Sequence, residues 1–140
     1  AVPAGPISRW AEFCLGLERL DDGWTELLYC LRDRGDTADL DGFRRYMAGR
    51  GGEYERLFWY FLYRHMLSAW EDGDPGGKAA FAAVSTRLLF TLGALHLEEY
   101  GGFTPVDQIE YARRYSAEIE YSQENLDAFF DELWSGPWSG

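Results

Sequence analysis

The chain has 140 residues, 46% of them hydrophobic and 17% aromatic, with a formal charge of −11. This is the size of one domain with one core, and it is too apolar to be disordered outside its ends. The charge argues against nucleic acid, whose phosphates need a basic footprint, and disfavours anionic membrane surfaces on the same ground.

The opening residues, Ala1-Val-Pro-Ala-Gly-Pro6, lack a basic stretch followed by an apolar one, so they do not read as a secretory signal. Trp10, Phe13, Cys14 and Leu17 recur at i, i+3, i+4 and i+7, which predicts a first helix over 6–20. Asp21-Asp22-Gly23 punctuates it. A second helix is predicted over 24–33, with Leu27, Leu28 and Leu31 inward. Asp36-Thr37 is placed to cap a short third helix through Phe43, Tyr46 and Met47. Without a secretory signal, Cys14 and Cys30 are expected as small buried thiols and not as a disulfide.

The stretch 53–72 is dense in aromatics. At 100° per residue its polar positions make one narrow stripe: Glu53, Arg56, Tyr60, Arg64, Ser68 and Glu71. Such a helix is expected to be central and wrapped by others. Gly73-Asp-Pro-Gly-Gly77 predicts a tight break and an antiparallel return helix over 78–100. The expected solvent stripe of that helix is Ala80, Ala83, Arg87, Thr91, Ala94 and Glu98. Its apolar part, 79–97, is interrupted by Arg87 and His96 and reads as a core helix, not a membrane span.

Thr104-Pro-Val-Asp107 is a helix start, with Thr104 as N-cap, Pro105 at the first helical position and Asp107 as the capping-box acid. Ile109, Ala112, Tyr115, Ser116 and Ile119 form the expected inner face. Ser122 is placed to cap a last helix carrying Leu126, Phe129, Phe130 and Leu133. Residues 1–5 and 135–140 are expected to be flexible. The predicted fold class is therefore all-α: one compact bundle of about six helices around the aromatic helix 53–72.

Chemistry is less legible. The sequence has no P-loop, dinucleotide fingerprint, zincin motif or EF-hand loop, and no Cys/His spacing suited to zinc. No cofactor and no metal are expected. A shared metal on His65, His96 and Glu99 meets a geometric objection: in the expected hairpin the two histidines differ in height by roughly 16 Å. A di-iron bundle needs Glu-x-x-His on two helices, whereas here His96-x-x-Glu99 occurs once. The same register places His65 near Ser85, and His96 with Glu99 near Glu53, Tyr54 and Glu55. His96, Glu99 and Tyr54 thus form the candidate catalytic group, in which a carboxylate orients the imidazole as a base. The plainer reading is a structural hydrogen-bond network. The aromatics similarly suit either a ligand pocket or a core.

The charge is uneven. Residues 1–95 hold 14 acids and 11 bases, and residues 96–140 hold 10 acids and two bases, Arg113 and Arg114. Arg114 is spaced to pair with Glu110 and Glu118, so that row largely compensates itself. Glu124, Asp127 and Asp131 share a row without a base and are the candidate partner-binding residues, facing a basic protein. Composition favours a cytoplasmic, non-enzymatic binding module, in concrete form an inhibitor or immunity-type protein. The alternative is a ligand-binding bundle or small enzyme using the aromatic pocket and the His96 group. A third reading is a homodimer joined through Trp134 and Trp138.

Overall fold

The computed structural model describes residues 5–135, apart from the side chains of Trp70 and Ser135, and these residues are all-α with no strand among them. The helices are α1 (Ile7–Leu15), α2 (Asp22–Arg34), α3 (Leu40–Tyr46), α4 (Gly52–Met66), the single turn α5 (Ala69–Asp72), α6 (Pro75–Tyr100), α7 (Pro105–Tyr115) and α8 (Gln123–Ser135). The expected flexible ends lie, apart from Gly5 and Ser135, outside the described residues, as does Trp138.

Local chemistry accounts for most boundaries. The carboxylates of Asp21, Asp39 and Asp74 accept from the amides of Gly23, Gly42 and Gly77, starting α2, α3 and α6. The capping box forms as expected: Asp107 N–H donates to Thr104 Oγ1 at 3.1 Å, and Thr104 N–H donates to Asp107 Oδ2 at 2.8 Å. Ser122 Oγ accepts from Asn125 N–H at 3.1 Å and starts α8.

The stretch 53–72 is not one continuous helix. It breaks after Met66, where Ser68 turns both its amide and its hydroxyl onto the carbonyl of His65. Nor is α4 wrapped on all sides. Tyr54, Phe61 and His65 face inward, whereas Trp59 and Tyr60 are each 44% and Tyr63 69% exposed. The centre of the bundle is α6, which packs against α2, α3, α4, α7 and α8. Thr91 and Ala94, expected at its solvent face, are buried. By length and composition α6 could cross a membrane, yet 61% of its most apolar window is buried inside the fold.

The hairpin register also differs from expectation. His65 packs edge-on against Phe81 with ring centres 5.1 Å apart, and Tyr54 against Phe90 at 5.0 Å. Both pairings pivot on Gly73, which takes the left-handed conformation (φ 68°). Because Pro75 and Asp74 start α6 before Lys78, pairing lies about one helical turn from the sequence-based register. Close approach at Gly93 fixes the alignment: a Cβ there would stand 2.6 Å from Phe43 and 2.7 Å from the Tyr54 hydroxyl.

Two aromatic clusters fill the core. Trp10 stacks on Phe129 at 5.4 Å, and Phe129 meets Phe81 edge-on at 5.2 Å. At the other end Phe43 meets Phe90 at 5.0 Å and Phe103 at 5.5 Å. On α7 Tyr115 is buried and Ala112 packs on the core as expected, but at the start of the helix Gln108 is buried and Ile109, expected inward, is 66% exposed. After Tyr115 the chain makes a π-turn over Ser116–Glu120, which adds a residue to the turn and brings Glu118, Ile119 and Glu120 all inward.

Candidate functional site

The π-turn builds a buried polar knot. The Glu120 side chain has no exposed surface. Its Oε2 lies 2.6 Å from His65 Nε2 and 3.3 Å from Arg64 Nε, and its Oε1 accepts from Ser116 Oγ at 2.7 Å. Phe81 and Phe130 close the imidazole in edge-on. Glu118 accepts from the amides of Leu20 (3.0 Å) and Asp21 (2.8 Å), tying the turn to the loop before α2. It does not pair with Arg114, which meets Glu110 at 3.3 Å and Asp21 at 3.9 Å instead. Ser85, expected beside His65, shares a 2.6 Å hydrogen bond with the buried Tyr115 hydroxyl, and burial raises that phenol's pKa well above the ordinary value.

The candidate group of His96, Glu99 and Tyr54 does not assemble. The one-turn register places Tyr54 beside Phe90 and Gly93, below His96. Glu99 points to solvent. His96 turns to α7 instead: Nδ1 lies 2.8 Å from the Tyr111 hydroxyl and Nε2 3.5 Å from Asp107 Oδ2. Burial pushes the Tyr111 phenol up to about 12, and the Asp107 carboxyl is held below its usual range mainly by the Thr104 amide. Tyr54 is raised by burial, partly offset by the neighbouring Gln108 amide, although neither its hydroxyl nor Gln108 Oε1 makes a well-formed hydrogen bond. The two histidines therefore serve separate sites, one on the π-turn and one on the start of α7.

Of the candidate partner-binding residues, Asp127 and Asp131 line a notch of about 490 Å³ with Asp72, Asp74, Lys78, Phe130 and Trp134. Glu124 is exposed on the same helix but outside that lining. The floor of the notch is Lys78, the sole lysine of the chain, which is only 2% exposed. Its ammonium lies 2.6 Å from Asp72 Oδ2 and 4.2 Å above the centre of the Phe130 ring. The hydrogen bond from Lys78 holds the Asp72 carboxyl below its usual range. Asp74 caps α6, Asp127 accepts from Gln123 at 2.8 Å, and Trp134 stands exposed at the rim. Carboxylates beside aromatic faces make this a seat for cations.

Sequence reasoning missed Lys78, Asp72 and Glu120. The available signal was a lone lysine directly after a Gly/Pro break that holds Asp74 and follows Asp72. Cys14 and Cys30 are free; burial pushes the Cys14 thiol up to about 12, and Cys30 is half-buried.

No curated protein and no solved structure matches the chain. Residues 12–138 match the family model of the FliB lysine N-methylase C-terminal domain. That match overturns the inhibitor or immunity reading, which rested on size, uneven acidity and the lack of a catalytic motif. Since it spans nearly the whole chain, this protein belongs to the FliB lysine N-methylase C-terminal domain family.

Proposed function

We propose that this chain is the substrate-docking part of a lysine N-methylase, and that the notch between α5, α6 and α8 receives a lysine-bearing protein segment. The observation that carries the reading is the seat of Lys78, whose ammonium rests between the Asp72 carboxylate and the Phe130 face. Asp74, Asp127, Asp131 and Trp134 repeat the same two chemistries, carboxylate and aromatic face, in the open part of the notch. The family name supplies the lysine.

The notch suits docking, not transfer. Carboxylates around an ammonium favour the protonated form, whereas a methyl group is accepted by the neutral amine. His65 and His96, the side chains most suited to take up a proton, are engaged by Glu120 and by Tyr111 with Asp107. A basic partner and the cytoplasmic setting expected from the sequence belong to this proposal.

The test is calorimetric titration of the protein with a flexible peptide containing two lysines, and with its norleucine counterpart. The lysine peptide is expected to bind, with affinity falling as salt rises. The Asp127→Asn/Asp131→Asn double variant is expected to bind about tenfold more weakly. Equal binding of the two peptides, or unchanged affinity in the double variant, refutes the docking role.

A further inference from the structure

A second cavity, of about 700 Å³, opens where the start of α1, the turn after α2, α3, α4 and α6 converge. This volume lies within the range of small-ligand sites. Its walls include Ile7, Leu40, Phe58, Ala83 and Phe90, and it carries two arginines, Arg44 and Arg87. On a chain of charge −11, guanidiniums at an apolar cavity run against the overall field.

Their pairing is telling. Arg87, on the central helix, donates to the Gly5 carbonyl at 3.2 Å and meets no carboxylate among the described residues. The Arg44 guanidinium lies 5.5 Å from the Phe90 ring centre and meets only the exposed Asp41. The cavity's own acid, Asp36, is engaged by the amide and hydroxyl of Ser8. The lining therefore offers planar guanidinium donors next to aromatic walls, with its one carboxylate already held elsewhere.

We propose that this cavity binds a small aryl carboxylate, its carboxylate on Arg87 and Arg44 and its ring between Phe58 and Phe90. The occupant is a free small molecule, because both guanidiniums and both phenyl rings line one cavity of about 700 Å³, a volume that suits a single small ligand. This site is separate from the lysine-docking notch, and neither proposal depends on the other.

The test is an amide NMR titration of the full chain with 1-naphthaleneacetate and with its neutral analogue 1-naphthaleneacetamide. The acid should bind saturably, shift resonances at residues 58, 83, 87 and 90, and bind about tenfold more tightly than the amide. In Arg87→Met that preference should collapse. Ala83→Phe, which fills the wall and keeps the arginine, should weaken acid and amide alike. Thermal melts of both variants establish that each is folded. No saturable binding, equal affinity for acid and amide, or acid binding unchanged in both folded variants overturns the proposal.

Discussion

The acids in the last third of the chain fall into two kinds that a charge count cannot separate. Glu118 and Glu120 are buried by the π-turn, and each is engaged by groups from elsewhere in the fold: two backbone amides for Glu118, and His65 and Arg64 along with Ser116 for Glu120. Asp127 and Asp131, a few residues on, face outward on α8 into a notch already floored by a lysine. The first pair contributes to folding and adds little to the external field. The second contributes to the field and little to folding. Since the side chains sit within 15 residues of one another, position relative to one π-turn, and not composition, assigns each its role.

The sharpest way to break this contrast is Glu120→Leu. It leaves the buried His65 and the half-buried Ser116 without their partner and should cost about 3 kcal/mol or more in urea denaturation. Adding His65→Leu should recover part of that loss, because an apolar pair replaces an uncompensated polar one. A loss below about 1 kcal/mol for the single variant would show that the knot does not hold the turn.

Glu118→Ala should cost about 1–3 kcal/mol by freeing the Leu20 and Asp21 amides, with the loop before α2 losing hydrogen-exchange protection first. The Asp127→Asn/Asp131→Asn variant should lie within about 0.5 kcal/mol of the parent in the same urea assay, whatever it does to peptide binding.

Acid titration offers a smaller, more local reading. The Asp72 carboxyl is lowered in the folded state by Lys78, so the stability it contributes is present above the unfolded value of about 3.9 and is lost as pH falls through the depressed folded value. Carboxyl NMR should find Asp72 titrating below the ordinary aspartate range in the parent and returning towards it in Lys78→Met. The same inside–outside division applies to the thiols and should not affect stability at all: at pH 8 iodoacetamide should modify Cys30 well before Cys14, as peptide mass mapping would show.

What could be read from the sequence was what neighbours in the chain decide. The Thr104/Asp107 capping box and the Ser122 cap involve residues three apart, and both formed as expected. The all-α class followed from helical periodicity. The α4–α6 register did not, because it depends on where α6 begins and on how closely Phe43 and Tyr54 approach Gly93, which no local pattern encodes. A one-turn error there was enough to assemble a catalytic group of His96, Glu99 and Tyr54 that the fold disperses. The π-turn was equally hidden: Ser116–Glu120 reads as ordinary amphipathic helix until its extra residue turns two glutamates inward.

The seat of Lys78 has one more implication. It holds the only side-chain amine in the sequence, and that amine is folded away between a carboxylate and a phenyl ring. The described surface therefore offers no exposed ε-amino group, so in the docking role proposed above these residues present no competing lysine of their own.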